Sequence, residues 1–170
     1  TASDDCGVAT LTFQDAIIPG NCPNEYIAIR EWNATDACGN SSSASQAITV
    51  VDYNAPAISG IGEDATIECP AQPQFSEPTA SDDCGVATLT FQDAIIPGNC
   101  PNEYIAIREW NATDACGNSS SASQAITVID NEAPVVSGVG ADENIECPAI
   151  PQFSHPIATD ACGTATLTFI

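Results

Sequence analysis

The chain has 170 residues and carries 23 Asp and Glu residues against two Arg residues and no Lys, which gives a formal net charge of −21 at pH 7. Two cationic side chains cannot build a basic patch, so the charge argues against binding to nucleic acid or to an anionic membrane. No apolar run approaches the roughly 20 residues that span a bilayer, and we expect no membrane insertion in this stretch.

The dominant feature of the sequence is a tandem repeat. Residues 1–50 reappear letter for letter as residues 79–128, an offset of 78 residues. The match continues past this block, since 157–163 follows 79–85 at the same offset. Because the chain begins and ends inside a copy, we read it as a slice of a longer, processed polypeptide. A unit copied so faithfully favours length, stiffness or multivalency over a single catalytic centre.

Short alternating stretches separated by turn residues predict an all-β fold. In the second copy, Ala87–Phe91, Tyr104–Trp110 and Gln124–Ile129 are β-rich and alternate as strands do. Turn residues such as Pro97–Asn99 and Cys116–Asn118 separate them. Strands of this length and spacing are typical of a β-sandwich, and no helix is predicted.

Linkers that contain a Pro divide the array into modules. Asp52–Pro56 and Asp130–Pro134 each follow a strand and close on a Pro, which cannot donate into a β-ladder. We therefore predict three modules. Residues 1–52 lack their first strands, residues 53–130 form a complete module, and residues 131–170 are the opening strands of the next one.

The cysteines predict a disulfide framework. Each period carries four of the nine cysteines, evenly spaced and without CxxC pairs. This density is typical of small exported domains, which cannot bury enough surface to dispense with covalent staples. A zinc site is disfavoured because close cysteine pairs are absent and His155 is the single histidine.

The complete module resembles a hyalin repeat. The resemblance covers the whole period and rests on the Ala-Pro pair near its start, Ala55–Pro56, and on five further segments, Ile67–Pro70, Ala80–Gly85, Ile107–Trp110, Ala112–Asn118 and Ile126–Asp130. In particular it resembles the repeats of giant surface adhesins of gliding Bacteroidota, which leave the cell by type IX secretion. The resemblance implies an immunoglobulin-like sandwich, export and adhesion. Many animal hyalin repeats carry a Cys where this chain has Ser119–Gln124, so their disulfide pattern is not transferred.

The position of each cysteine in a seven-strand sandwich predicts the pairing. Cys84 and Cys116 fall in loops at one end of the module, and Cys69 and Cys100 fall at the opposite end. This arrangement predicts the pairs Cys84–Cys116 and Cys69–Cys100, with Cys6–Cys38 in the first copy, and leaves Cys22, Cys147 and Cys162 to partners outside the slice. The competing scheme pairs neighbours in sequence as Cys69–Cys84, Cys100–Cys116, Cys22–Cys38 and Cys147–Cys162.

Acidic residues are expected to meet at the module junctions. Each linker should approach the Asp-bearing loops of the module that follows it. Converging carboxylate and amide oxygens suit calcium, which takes six to eight oxygens, so an optional calcium ion is predicted and no cofactor is required. Alternatively, each Asp caps its own turn. The predicted ligands are Asp52, Asn54, Asp82, Asp83 and Asp114 at the first junction, and Asp130, Asn131, Glu132 and Asp160 at the second.

The remaining polar residues favour structural roles. Arg30 and Arg108 are expected to stack on an aromatic ring or to pair with a carboxylate, with ligand recognition as the alternative. His155 is expected to be solvated, because the preceding copy has Glu77 at that position, and no enzyme motif is present. Asn33, Asn40, Asn111 and Asn118 begin N-glycosylation sequons that only a eukaryotic host would use, with Asn118 the more accessible.

Together these patterns predict the adhesive repeat region of a long extracellular filament or stalk at the cell surface. The resemblance to the gliding adhesins further implies a role in gliding motility. The partners of the repeat region would be neighbouring modules of the same chain, and surface glycans or other cells. The alternatives are a multivalent array of carbohydrate- or protein-binding modules and a spacer in a larger secreted protein. An array of binding modules would need an exposed aromatic platform, and the few aromatic residues disfavour it.

Overall fold

The computed structural model describes residues 1–5 and 7–168, and these residues form an all-β structure without a helix. No helix long and apolar enough to span a membrane occurs among them. The strands are β1 (Thr10–Pro19), β2 (Tyr26–Thr35), β3 (Ser41–Val50), β4 (Ala57–Ser59), β5 (Ala65–Glu68), β6 (Thr79–Ser81), β7 (Thr88–Pro97), β8 (Tyr104–Thr113), β9 (Ser119–Ile129), β10 (Val135–Ser137) and β11 (Ile157–Thr159).

The strands follow the sequence repeat. Strands β1, β2 and β3 form an antiparallel sheet in chain order, and the same residues 78 positions later form β7, β8 and β9. In the second copy this sheet gains β5, which pairs in parallel with the outer edge of β9. The pairs β4–β6 and β10–β11 are likewise equivalent, so the predicted all-β, disulfide-stapled repeat architecture is confirmed.

Tight loops at the strand ends carry the cysteines. Between β1 and β2, the Gly20 N–H donates to the Glu25 carbonyl at 2.8 Å, and Asn24 adopts a left-handed conformation with φ of 69°. This loop presents Cys22. Between β2 and β3, the Asp36 N–H donates to the Asn40 carbonyl at 3.0 Å, and that loop presents Cys38. Because consecutive antiparallel strands reverse direction, these two cysteines lie at opposite ends of the sheet.

The second copy has a hydrophobic core on one face of its sheet. Burial alternates along β8 and β9, where Trp110, Ile126 and Val128 each keep 3% or less of their surface exposed. Phe75, from the segment between β5 and β6, packs edge-on against Trp110 with ring centroids 6.4 Å apart. The period of two that predicted these strands therefore corresponds to one buried face and one solvated face.

A buried amide ties the same segment to the sheet. Gln124 on β9 is 6% exposed, and its amide group donates to the Glu63 carbonyl at 2.8 Å and accepts from the Ser76 N–H at 3.0 Å. Both polar atoms are satisfied, which is what makes burial of an amide tolerable. A Cβ at Gly62 would approach this amide nitrogen to 2.6 Å, so a larger residue there would displace the Gln124 amide.

Both arginines have the predicted structural role. Arg108 lies between the rings of Phe75 and Phe91, with its guanidinium carbon 4.7 and 4.0 Å from the two centroids. It also donates two hydrogen bonds to the Asp93 carboxylate, at 2.6 and 2.7 Å. Arg30 repeats the carboxylate contact with Asp15 and stacks on Phe13 at 4.2 Å. A planar cation suits this combination of ring stacking and bidentate pairing.

The chain divides into two compact units, each of which contains residues of two successive copies. The first consists of Thr1–Ser59, Pro78–Thr90 and Asn111–Ser121. The second consists of Gly60–Glu77, Phe91–Trp110 and Ala122–Ile170. The module bounds 1–52, 53–130 and 131–170 follow the sequence repeat and stay a prediction.

Candidate functional site at the junctions between copies

A disulfide joins the first copy of the repeat to the second. Cys22, in the loop between β1 and β2, is bonded to Cys116, in the loop between β8 and β9, with the Cα atoms 5.1 Å apart. The two loops are not equivalent in the repeat, since they occupy opposite ends of their sheets. The bond therefore connects one sheet end of the first copy to the opposite sheet end of the second copy, and we call its surroundings the first junction.

Polar contacts surround this disulfide. The Asn118 amide donates to the Asp52 carbonyl at 3.1 Å, and the Ser120 hydroxyl donates to the Pro56 carbonyl at 2.5 Å. These bonds attach the linker after the first copy to the loop that carries Cys116 and to the start of β9. The Asn24 amide donates to the Cys84 carbonyl at 2.5 Å, which is a further contact from the first copy to the second.

The second junction repeats the plan with a different cysteine pair. Cys69, directly after β5, is bonded to Cys162 of the third copy, with the Cα atoms 5.5 Å apart. Both cysteines are buried and pack against Val128, with Ile67 and Tyr104 at the side. The Asn102 amide donates to the Cys162 carbonyl, which is the counterpart of the bond from Asn24 to Cys84.

These bonds correct the predicted disulfide pairing. The pairs Cys69–Cys100 and Cys84–Cys116 are wrong, because Cys69 is bonded to Cys162 and Cys116 to Cys22. The expectation that Cys22 and Cys162 pair outside the slice is also wrong. The competing scheme of sequence neighbours fails for the same reason. The prediction assigned the cysteines to opposite ends of a module but paired those at the same end. In the structure, cysteines at the facing ends of successive copies pair with each other.

Four described cysteines are unpaired. Cys38, Cys84, Cys100 and Cys147 form no disulfide among the described residues. The predicted pair Cys6–Cys38 involves Cys6, which lies outside the described residues, and the external partner of Cys147 stays a prediction. The pKa of the Cys84 thiol is raised by burial and by the nearby Asp52, Asp82 and Asp83 carboxylates. The pKa of the Cys100 thiol is raised mainly by the Glu103 carboxylate.

Acidic residues converge at both junctions, in sets that only partly overlap with the predicted ligands. Ligand atoms of Asp52, Asp82 and Cys84 lie within 4.8 Å of one another at the first junction. At the second junction, Glu68 and Asp130 form a group with the sulfurs of Cys69 and Cys162, and Asp160, the counterpart of Asp82, is not part of it. Sequence reasoning did not identify Glu68, whose carboxylate accepts from the Asn131 N–H at 2.7 Å.

Several of the predicted ligands cap turns with the same carboxylates. Asp114 accepts from the Cys116 and Asn118 N–H groups at 2.9 and 2.8 Å and from the Asn118 amide at 2.8 Å. Burial acts to raise the pKa of Asp114, but these hydrogen bonds outweigh it and the pKa is lowered. Asp82 and Asp160 accept from the backbone two residues ahead, each at 2.8 Å. The structure thus accounts for these side chains through the turn-capping alternative.

The linker residues show the same local capping. Asp52 accepts from the Asn54 N–H at 3.1 Å, and Asp130 accepts from the Glu132 N–H at 3.2 Å. Asp83 and Glu132 are exposed. The donor groups therefore offer two carboxylates with one thiol or two disulfide sulfurs, whereas calcium prefers six to eight oxygens. Backbone carbonyls and water would have to supply the remaining ligands.

The sequon positions differ in exposure. Asn33, Asn40 and Asn111 are exposed, whereas Asn118 is half-buried. The Asn118 amide nitrogen is engaged with Asp52 and Asp114, so the expectation that this sequon is the more accessible is wrong. His155 is exposed, as predicted.

Comparison with known proteins supports the hyalin-repeat interpretation. The chain is 28% identical over 190 residues to hyalin of Strongylocentrotus purpuratus, a hyalin-repeat protein, and the match covers 98% of this chain. It spans 15% of the length of that relative. No family model matches the chain.

Proposed function

We propose that the chain is a structural and adhesive segment of a long extracellular filament or stalk at the cell surface. Its copies would be stapled end to end by disulfides, and its adhesion would come from many weak contacts made along the array. It would have no catalytic role.

The pairing of the cysteines carries this proposal. A disulfide inside one module would stabilise that module alone. Cys22–Cys116 and Cys69–Cys162 instead cross from one copy to the next, so tension on the array would be borne by a covalent bond in parallel with each linker. The linker contacts of Asn118 and Ser120 restrict the same junction. Similarity to hyalin over nearly the whole chain favours an exported, adhesive repeat, and disulfides persist in oxidising compartments.

Stretching a single array tests the structural part. An array of at least six copies, tethered at its two ends, should resist extension beyond its folded length until a reductant is added. Reduction should release the length of the linkers and then of the modules. An array that extends equally in oxidising and reducing buffer would contradict the proposal.

Bead attachment tests the adhesive part. Beads coated with arrays of one, three and six copies at equal total mass should attach to cells or to immobilised glycans more strongly as copy number rises. Attachment that is independent of copy number would exclude a multivalent mechanism and leave a spacer role.

We also propose calcium as an optional ligand at the junctions, supported by the convergence of Asp52 and Asp82 and of Glu68 and Asp130. A ligand that binds only the folded form raises the unfolding temperature by mass action. The non-reduced chain should therefore unfold at a higher temperature in millimolar calcium than in EDTA, and Asp52→Asn should reduce the shift. Equal temperatures would leave the carboxylates as turn caps.

An exposed apolar strand favours a second candidate, a protein-binding array. On β7, Phe91, Ile95 and Ile96 are 59%, 68% and 50% exposed. A partner that docks on this strand would lose affinity with Ile95→Ser, whereas Ser121→Ala, at an exposed position on β9, serves as the control. Equal attachment of beads bearing either variant would leave the surface without a binding role.

A role in gliding would place the filament on a moving track at the surface of a bacterium that exports it by type IX secretion. The resemblance of the repeat motifs is the support for this narrower role. Antibody-labelled filaments on live host cells should travel along the cell body, and stationary filaments on gliding cells would contradict it.

A further inference from the structure

Each unpaired cysteine is the counterpart, one period away in the repeat, of a cysteine that is bonded in one of the two observed disulfides. The first disulfide spans 94 residues and the second spans 93, which is longer than one period of the repeat. Neither bond can therefore recur inside a single module. Cys100 is the repeat counterpart of Cys22, and Cys147 is the counterpart of Cys69. Their partners at the same separations would lie beyond residue 170.

The same two separations in sequence account for the unpaired thiols of Cys38 and Cys84. Cys38 is the counterpart of Cys116, and Cys84 is the counterpart of Cys162. Their partners at the same separations would lie before residue 1. One pairing rule thus explains all four described unpaired cysteines, together with the four that are bonded.

An open cleft at the second junction gives independent support. Cys100, Asp130 and Pro134 line this cleft, next to Asp160 and Cys162.

Cys22, Asp52 and Pro56 are the counterparts of Cys100, Asp130 and Pro134. In the first junction, one segment of the following copy contacts all three of these counterparts. Cys22 is bonded to Cys116, the Asp52 carbonyl accepts from Asn118, and the Pro56 carbonyl accepts from Ser120. The cleft therefore has the contact groups for a further segment with the sequence of residues 116–120.

We propose that Cys38, Cys84, Cys100 and Cys147 are half-sites for disulfides with adjacent copies of this repeat, so that every junction carries two staples. Cys100 and Cys147 bond the counterparts of Cys116 and Cys162 in a following copy. Cys38 and Cys84 are bonded by the counterparts of Cys22 and Cys69 in a preceding copy. Each bond forms from two thiols as a disulfide-bearing oxidant is reduced to its dithiol, which takes up the two electrons and two protons.

This pairing makes the array self-consistent at any length. Each internal module gives two cysteines to the next copy and receives two from the previous one. Unpaired thiols remain only at the two ends of the array. The proposal depends on the repeat and the disulfides and is independent of adhesion, so failure of the adhesion experiments would leave it intact.

Chemical cleavage of an extended chain tests the proposal. A further copy of residues 93–170 is appended after residue 170, which completes the third module. Cys69→Ser and Cys162→Ser remove the existing staple at the second junction, and Asn131→Met introduces the single Met of the chain. Cyanogen bromide then cuts the extended chain at this linker alone, under acidic conditions that suppress disulfide exchange.

The expected result is one species on a non-reducing gel and two fragments after reduction, because Cys100 bonds the added copy across the cut. Adding Cys100→Ser should release the fragments without reductant, as should cleavage of the same triple variant without the appended copy. Release of the extended triple variant without reductant would overturn the proposal.

A thiol count covers the case in which the substitutions prevent folding. The extended chain without any substitution should contain as many titratable thiols, after denaturation without reductant, as the 170-residue chain. The appended copy brings four cysteines, and the proposal pairs two of them with Cys100 and Cys147 and leaves two unpaired. A rise of four thiols would overturn the proposal even if the variant chain did not fold.

Discussion

The first and second copies have the same sequence over 50 residues but differ in burial, and this contrast shows what the preceding segment contributes. In the second copy, Trp110 is 3% and Val128 is 2% exposed. Their counterparts in the first copy are half-buried Trp32 and Val50, which is 37% exposed. The strands themselves are the same in both copies. What differs is residues 56–78, which supply β5, Phe75 and the carbonyl of Glu63 to the second copy.

The comparison separates two contributions to the fold. Local sequence is sufficient for the three-stranded meander, because both copies form it with the same register of turns. The core requires a covering segment from upstream, and the junction disulfide then joins that core to the following copy. The strands are therefore specified by the local sequence, whereas burial of the sheet requires the upstream segment 56–78 of the same module.

The largest effect is expected from removing the second staple. Cys69→Ser with Cys162→Ser opens a loop of about 94 residues, which should lower the free energy of unfolding by about 4–5 kcal/mol in the chain-entropy model. Trp110 fluorescence in the Trp32→Phe background follows the second copy during urea unfolding. Cys22→Ser with Cys116→Ser serves as the matched pair at the first junction. Unfolding midpoints that stay unchanged in both variants would mean that the staples contribute nothing to stability.

The second-largest effect is a difference in the stability lost when each of the two tryptophans is replaced. Trp110→Ala should lower stability by about 3–5 kcal/mol, because it removes a large side chain that is buried against Phe75. Trp32→Ala changes the same residue in the same local sequence and should cost less than half as much. Urea denaturation followed by circular dichroism measures both. Equal losses would show that the first copy has a core of its own, and the contrast between the copies would then fail.

A smaller effect is expected at the buried amide. Gln124→Ala leaves the Ser76 N–H and the Glu63 carbonyl without their partner and should cost about 1–3 kcal/mol. Gln46→Ala, at the exposed counterpart in the first copy, should be nearly neutral. The same denaturation experiment decides this. A neutral Gln124→Ala would mean that residues 63–76 are not held against β9 in solution.

The smallest effect is electrostatic and should be alike in the two copies. Hydrogen bonds from Arg108 hold the pKa of Asp93 below its ordinary value, and Arg30 does the same for Asp15. A carboxylate whose pKa is lowered in the folded state stabilises the protein at pH values above the ordinary Asp pKa. This contribution is lost as the pH falls through the pKa of the folded state. The protein should therefore unfold at a lower temperature below about pH 4. Asp93→Asn and Asp15→Asn should each make this fall in unfolding temperature slightly smaller. A larger fall in either variant would contradict the prediction.

The fold was accessible from the sequence because its signals are local. Alternation along Tyr104–Trp110 and turn residues such as Gly117 and Asn118 are enough to predict strands and loops. A structural role for Arg108 was predicted, but its stacking partners Phe75 and Phe91 lie on other segments and were not identified. The convergence of the linker with the following copy also followed, because the ends of the strands were known.

The disulfide pairing was not accessible in the same way, because it depends on how one copy meets the next. The same four cysteine positions recur in every period. Their spacing in the sequence is therefore compatible with pairing inside a module and with pairing between modules. The expected contact of Asp52 with the loops of the following module already contained the signal. If the linker reaches those loops, the neighbouring loop with Cys22 reaches them as well. The predicted accessibility of Asn118 was wrong for the same reason, since the linker carbonyl of Asp52 engages its amide.

The most direct test of the stapled array cuts the linker of the chain itself. Peptide mass alone cannot distinguish Cys22 from Cys100 or Cys38 from Cys116, because the surrounding sequences are identical. The chain contains no Met, and Tyr53 in the linker is 82% exposed, so Tyr53→Met should be tolerated and should provide one cyanogen bromide site. We predict that the cleaved protein migrates as one species until it is reduced, and that Cys22→Ser releases the two fragments. Separation of the fragments without reductant would show that the copies are not covalently joined and would contradict the account.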